Sequence, residues 1–471
     1  MDVEVTNPWT GQVDYRYAYQ SWDVADARLA ASHVAFGPWS ARPLDERGAL
    51  LARVGAVLRE RRATIATTMA TEMGKLHREA LAEVDKCAGA CDYYAAHAAD
   101  YLREQPIATE AARSYVRYAP IGCVFAIMPW NFPIWQVFRF LAPTLMAGNV
   151  ALLKHATNVP RCADAIADAL AAAGVPDGVF GVVHIDNDTA ARVIADPRVQ
   201  AVTLTGSERA GRSVAATAGK ALKKCVLELG GSDPFVVLDD ADLDTTIPMA
   251  VTSRFANAGQ TCIAAKRFIV TAGIADEFAR RFAEAAGRLA VGDPADPATT
   301  LAPMVRADLR EELHHQVEAS IAAGAVPLIG CRPGQGASHY PASILDQVKP
   351  GMPAYSEELF GPVASILRAT DDAHALRIAN DTNFGLGASV WTRDAARGEA
   401  LARGIRAGAC FVNAIVRSDV RLPFGGTKGS GYGRELAEHG IHEFMNIQTV
   451  YVELPSVPMP GAAAGPVAHV E

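Results

Sequence analysis

Three observations predict an α/β chain built from two doubly wound parallel-sheet domains with a small projecting β arm. After Pro120, apolar strand segments alternate with helical ones; those strands are continuous apolar runs such as Val124 to Met128; and a second alternating series opens at Pro234 once the first has closed at Gly230-Gly231. The chain is long enough for such an arrangement. Its 471 residues are half hydrophobic, which suits several well-packed domains and excludes disorder, collagen and coiled coil as whole-chain descriptions.

In chain order, residues 25–101 are Ala-rich with charged faces and read as helix. Pro106 interrupts, and Ser114-Tyr115-Val116-Arg117-Tyr118 alternates as a strand that projects in a hairpin arm. The first strand–helix series runs through Val124–Met128, Val150–Leu153, a helix over 160–173, Gly181–Val183, Ala201–Leu204 and Cys225–Leu227. The second runs through Pro234–Leu238, Phe268–Val270, Ala364–Leu367, Ala388–Trp391 and Cys410–Val412, before a last strand at Thr449–Glu453 and a loosely held Pro/Gly/Ala-rich tail.

Charge and cysteine usage narrow the class. The formal charge of -8 is spread without a long basic run, so neither nucleic acid nor an acidic membrane is an expected partner. Eight cysteines are too sparse for a disulfide scaffold, and Cys87 and Cys91 have no second pair or spaced His to complete a zinc set, so no metal is expected. The acidic start Met1-Asp2-Val3-Glu4-Val5 lacks the form of a secretory signal, and no run approaches the roughly 18 apolar residues of a spanning helix. A cytoplasmic enzyme is expected.

Four segments carry chemistry. Cys262 follows Asn257-Ala258-Gly259-Gln260-Thr261, where Gly259 permits close backbone approach and polar neighbours suit a partly solvated thiol. A lone cysteine is also compatible with an inert, buried position. Glu228, 34 positions earlier, ends an apolar strand before two glycines and is either a salt-bridged strand-end carboxylate or a general base of raised pKa. In Pro129-Trp130-Asn131-Phe132-Pro133, two prolines fix a backbone on which Asn131 is either a turn residue or a preorganised donor. Thr205-Gly206-Ser207-Glu208-Arg209-Ala210-Gly211 ends a strand and opens a helix, a setting that favours phosphate.

These four segments, with Glu357-Glu358-Leu359-Phe360-Gly361-Pro362-Val363 and Pro423-Phe424-Gly425-Gly426-Thr427-Lys428-Gly429-Ser430-Gly431, resemble in order and spacing the NAD(P)-dependent aldehyde dehydrogenase superfamily over nearly the whole chain. Leu152-Leu153-Lys154-His155-Ala156 and Ser418-Asp419-Val420-Arg421-Leu422-Pro423-Phe424 are most similar to its succinate-semialdehyde dehydrogenase branch. The resemblance implies a nucleotide-binding domain over 1–103 and 122–229, a catalytic domain over 230–443, an oligomerisation arm from 104–121 and 444–455, and a tail over 456–471. A homodimer or homotetramer follows from the arm.

By the same resemblance Cys262 is the nucleophile, Glu228 the general base and Asn131 half of an oxyanion hole. The cofactor residues it implies are Trp130, Asn131, Lys154, His155, Ala156, Thr157, Gly206, Ser207, Glu208, Leu229, Glu358 and Phe360. NAD-preferring members commonly carry an acid three positions past the Lys; Thr157 stands there, so NADP is the expected cofactor, with NAD possible. Arg139 and Arg421 are either structural or solvated cations or, if they face the substrate, a fork for a distal carboxylate. The expected reaction is oxidation of succinate semialdehyde to succinate through a cysteine thiohemiacetal and thioester, with Glu-activated water completing hydrolysis. The alternative is a broad-specificity or aminoaldehyde dehydrogenase in which Asp419 holds the substrate tail.

Overall fold

The computed structural model describes residues 2–454; the tail expected over 456–471 lies outside the described residues. Two parallel sheets dominate. The first has the order Gly431–Tyr432, Lys224–Glu228, Val199–Thr205, Cys123–Met128, Val150–His155 and Phe180–Val182. Its strands are apolar along their length because helices cover both faces: Val124, Phe125, Ala126, Leu152, Leu153, Val202 and Val226 are all fully buried. The order turns between Cys123–Met128 and Val199–Thr205, so the crevice beyond their carboxyl ends is where an open α/β sheet takes a ligand. Those ends lead directly into Trp130-Asn131 and Gly206-Ser207.

The second sheet has the order Val326–Ile329, Ser343–Asp346, Val363–Ala369, Ala265–Thr271, Asp233–Val237, Gly387–Trp391 and Ala409–Val412, antiparallel only at its first pair. Cys262 enters on the loop before Ala265–Thr271. The chain then returns to the first sheet: Gly431 pairs antiparallel with Glu228. That strand was expected within a separate 230–443 unit, and two residues bounded by glycines carry no period by which to foresee it.

The helical stretch expected over 25–101 is four helices, Trp22–Ala41, Leu44–Glu60, Arg62–Met73 and His77–Leu102. The last buries Ala80, Glu83, Val84, Cys87, Cys91, Tyr94 and Ala98 along one stripe, so Cys87 and Cys91 pack as core residues. Gly48 and Gly55 let Leu44–Glu60 sit against it, a Cβ at Gly55 coming 3.1 Å from the Ala88 carbonyl oxygen. Arg113–Pro120 pairs with Met445–Val452 in an unbroken register and with Gln105–Pro106 on its other side, forming a three-stranded arm. An N-terminal hairpin, Asp2–Thr6 with Val13–Ala18, was not foreseen, because its two strands are mostly polar and exposed. Among the described residues no helix is long and apolar enough to cross a membrane.

Candidate active site

Cys262 and Asn131 line one cavity of about 370 Å³, with Trp130, Leu229, Glu358 and Phe360. They arrive from different sheets, so their approach depends on the loops that carry them. The thiol loop opens with three left-handed residues, Asn257, Ala258 and Gly259, at φ of 54°, 52° and 70°. Such a run is unfavourable for L-residues and persists only where surroundings hold it. Arg254, fully buried, does so by donating to the carbonyls of Gly259 and Gly361 at 2.6 Å and of Ala265 at 3.0 Å. A Cβ at Gly259 would stand 2.3 Å from the Arg254 guanidinium, so glycine is required there for space as well as conformation.

Asn257 Nδ2 donates to the Asn131 carbonyl at 2.9 Å, and Asn131 Nδ2 donates to the Gln260 carbonyl at 3.0 Å. This reciprocal pair joins the two loops. Lys75 Nζ also donates to the Asn131 carbonyl, at 2.9 Å, while paired with Glu83; the second Glu83 oxygen accepts the N–H groups of Ile134 and Trp135 at 2.9 Å. Both charges are buried and every stated contact is to a backbone group or to each other. Asn131 is therefore a clamped donor rather than a turn residue, its remaining amide hydrogen available to the cavity.

Cys262 is half-buried, and burial pushes its thiol up to about 11 despite the nearby positive charges of Arg139 and Lys266. The resting sulfur is protonated. Lys266 donates to the carbonyls of Thr261 and Cys262 at 2.8 and 2.7 Å and pairs with Glu358 at 3.1 Å. Glu358 in turn accepts the Gly231 N–H at 3.0 Å. The Cys262 N–H donates to no backbone carbonyl among the described residues.

Glu228 takes a different position. It does not line the cavity; its carboxyl is buried toward Gly425, where a Cβ would come within 2.7 Å of Oε1, and neither oxygen has a hydrogen-bond partner. Burial raises it to about 8, Arg139 opposing and Glu435 reinforcing that rise. The structure thus brings thiol and amide together and holds the carboxyl behind them.

The expected carboxylate fork is not formed. Arg139 is buried in an ion pair with Glu435, donates to Thr205 Oγ1 at 3.1 Å and lies over the Phe424 ring. Its charge is matched inside the fold, so it is a structural cation here. Arg421 is 70 % exposed and paired with Asp419, which also commits Asp419. Neither arginine lines the described cavities.

Three cavities share their walls. The thiol cavity and a second of about 600 Å³ meet at Trp130 and Arg306; the second and a third of about 370 Å³ meet at Lys154 and Asn187; Ser207 lies in both the third and the first. Ala156 and Thr157 line the second, and Gly206 the first. Gly211 allows its helix to approach Leu229, since a Cβ there would come within 2.6 Å of that side chain. Two expected cofactor residues fall outside. His155 accepts the Ala156 N–H at Nδ1, so Nε2–H donates to the Pro133 carbonyl at 2.8 Å, bracing the Asn131 loop; burial lowers it to about 4. Glu208 pairs with Arg212 on the helix surface.

Four residues escaped the sequence reading. Lys75 and Lys266 are ordinary lysines until topology buries them. Arg306 comes from the other domain, and Asn158 follows Thr157, with both amide atoms buried and unpartnered at the second cavity. Lys154, Thr157 and Asn158 offer donors there for a phosphate, in a cavity that Asp186 and Asp188 also line.

The fold and site define a two-sheet α/β protein with a thiol and an amide at the base of a long groove spanning the sheets. The model of the aldehyde dehydrogenase family matches residues 1–450, and the chain belongs to that family. It is 48% identical over 445 residues to a protein of Escherichia coli (strain K12) named NAD(P)+ succinate semialdehyde dehydrogenase Sad, covering 94% of each. It is 47% identical to a probable NADP+ succinate-semialdehyde dehydrogenase of Synechocystis, covering 96% of this chain and all of that one. The crystal structure of succinic semialdehyde dehydrogenase from Streptococcus pyogenes in complex with NADP+ superposes with a TM-score of 0.94 at 37% identity, covering 96% of this chain and all of that one.

Two outcomes are expected. Lys75→Met leaves the Glu83 carboxylate buried without its cation and should lower stability by about 3–5 kcal/mol, read from the urea midpoint; a change under about 1 kcal/mol would contradict the clamp. Glu228 holds a proton in the folded chain from the ordinary carboxyl range near 4.5 up to about 8, where the unfolded chain has released it. Its contribution to stability therefore falls as pH rises through that window. Glu228→Gln should flatten the decline measured between pH 5.5 and 8, and an unchanged slope would refute the assignment.

Proposed function

We propose that this chain oxidises succinate semialdehyde to succinate with NADP, using Cys262 as nucleophile. The observation that carries the reading is the Cys262–Asn131 pair in one cavity of a groove whose far compartment presents Lys154, Thr157 and Asn158.

The thiol attacks the aldehyde carbon, forming a C–S bond and a thiohemiacetal oxyanion. Asn131 Nδ2–H and the Cys262 N–H stabilise that oxygen, each such donor being worth about 3 kcal/mol. A thiol near 11 ionises poorly at neutral pH, so the reaction needs a base or added positive field as substrate enters. Glu228, near 8, is matched to the work of taking a proton from water to hydrolyse the thioester, once its side chain turns from its rear seat toward the sulfur. When bound, nicotinamide supplies the hydride acceptor. Trp130, Glu358 and Phe360 would hold its end of the cofactor; Ser207 suits the diphosphate, and Arg306, paired with Asp308, lines the same neck as Trp130 and adds positive charge there.

NADP over NAD is supported by Thr157, a neutral hydroxyl beside Lys154 where a carboxylate would repel a 2′-phosphate. Homo-oligomerisation through the arm is supported by its edge strand Met445–Val452, which leaves Ile447, Tyr451 and Val452 exposed.

Specificity constants for succinate semialdehyde, butanal and an aminoaldehyde, each with NAD and NADP, test the reading. Succinate semialdehyde with NADP should rank first, and a higher constant for the aminoaldehyde would overturn it. Thr157→Glu should move the NADP/NAD ratio at least about tenfold toward NAD, an added like charge beside a phosphate costing on the order of 1.4 kcal/mol; an unmoved ratio would remove Thr157 from cofactor choice.

A further inference from the structure

Glu228 has to leave its rear seat to reach the sulfur, and a carboxylate arriving in a dry cavity needs a donor to meet it. Most polar groups on the cavity wall are committed. Asn131 donates to the Gln260 carbonyl, Thr205 Oγ1 is pinned by Arg139 at 3.1 Å, Gln316 donates to Glu357 at 2.8 Å, and Glu358 is held by Lys266 and the Gly231 N–H. Gln136 is the exception. It is 2 % exposed and lines the cavity with Cys262, and its side-chain carbonyl oxygen is buried with no hydrogen-bond partner, a state that among the described residues no other part of this wall shares.

Its position brings it beside the base. Gln136 lies in the first turn of the helix Trp135–Met146, its backbone N–H bonded to the Phe132 carbonyl at 3.0 Å, so the Asn131 loop fixes the backbone that carries it. Arg139, three residues on and on the same helical face, donates to Thr205, which lines the cavity too. Thr205 and Glu228 pair in register on adjacent parallel strands, so their side chains leave one face of the sheet about 5 Å apart. Leu229 and Gly230, directly after Glu228, line the same cavity. Glu228 and Gln136 therefore flank one wall, each a buried group without a partner while the carboxyl stays in its rear seat. Such orphans are costly, and a turn of Glu228 brings together a carboxyl and an amide that satisfy each other.

We propose that Gln136 is a positioning residue for the general base, its side-chain amide forming the forward seat in which Glu228 stands while the thioester is hydrolysed. This rests on the reading of Glu228 as that base. An amide serves both protonation states. Its N–H donates to the ionised carboxylate and leaves the second carboxylate oxygen for water; its carbonyl oxygen accepts from the carboxyl once the proton has arrived. In the step itself a water O–H bond breaks, the water oxygen bonds to the thioester carbon and the proton passes to Glu228. Collapse of the adduct breaks the C–S bond, and the departing sulfur takes the proton back from Glu228 as the carboxylic acid is released. A donor at the carboxylate favours its charged form, opposing the burial that raises Glu228 in the rear seat.

The test follows a single turnover of radiolabelled succinate semialdehyde with NADP, acid-quenched so that protein-bound label reports thioester formation and decay separately. Wild type, Gln136→Met, Glu228→Gln and the double variant are compared, methionine keeping the side-chain length while removing both polar atoms. Gln136→Met should slow decay by about tenfold at pH 7, the loss of one charge-assisted bond, and move the midpoint of decay rate against pH upward by about one unit. Thioester formation and the Kd for NADPH should stay within about twofold. Added to Glu228→Gln, the same change should alter decay by less than about twofold, because it acts through the carboxyl. An unmoved decay rate or midpoint, equal slowing of formation and decay, or full additivity in the double variant would overturn the seat. Label that becomes protein-bound in none of the four, or wild-type decay in Glu228→Gln, would overturn the reading of the base and the seat together, whereas slow decay in Glu228→Gln beside wild-type decay in Gln136→Met would overturn the seat alone.

Discussion

The site depends on keeping two loops from two different sheets in register without a covalent link. Buried charged side chains accomplish this by bonding to backbone groups. Lys75 holds the Asn131 carbonyl, Glu83 the N–H groups of Ile134 and Trp135, Arg254 the carbonyls of Gly259 and Gly361, and Lys266 those of Thr261 and Cys262. A backbone carbonyl has a fixed place once its strand is packed, so a buried cation bonded to it locates a loop more sharply than a contact between flexible side chains would. Desolvating these charges is expensive, and the cost is offset because their partners are likewise buried and would otherwise be unsatisfied.

The same dry interior sets the resting protonation of the reacting groups. Cys262 at about 11 and Glu228 at about 8 are both neutral near pH 7, so the unliganded site stores no unpaired charge beside the sulfur. The nearest strong cation, Arg139, is balanced by Glu435. Neutrality keeps an apolar groove stable, but it means that activation must come with ligand entry. The orphaned Glu228 oxygens fit this economy: a carboxyl with no fixed partner in its rear seat loses no hydrogen bond when it turns.

Much of the fold was legible because buried parallel strands are continuous apolar runs, as in Val124–Met128 and Val150–Leu153, and helices are periodic. Cys262, Asn131 and Ser207 stood out because unusual backbone signals surround them, Gly259 before the thiol, prolines flanking the amide, a strand end opening a helix, whereas Thr157 was singled out only through the resemblance to the family. What escaped was whatever tertiary pairing decides. An arginine in sequence does not disclose its partner, so Arg139 read equally as anchor or structural cation until Glu435, nearly 300 residues later, came beside it. His155 sits within a cofactor motif yet turns inward to Pro133. The Asp2–Thr6 hairpin and the Gly431–Tyr432 strand lack apolar period because they pair at the margins of the fold.

The balance of charge behind the thiol rests on Arg139. Arg139 is buried one turn past Trp135, in an ion pair with Glu435 and over the Phe424 ring. Without Arg139, Glu435 would lie buried near Glu228 without its ion-pair partner, and both carboxyls would be pushed further toward the neutral form. Holding Arg139 in the fold keeps that pair apart in charge.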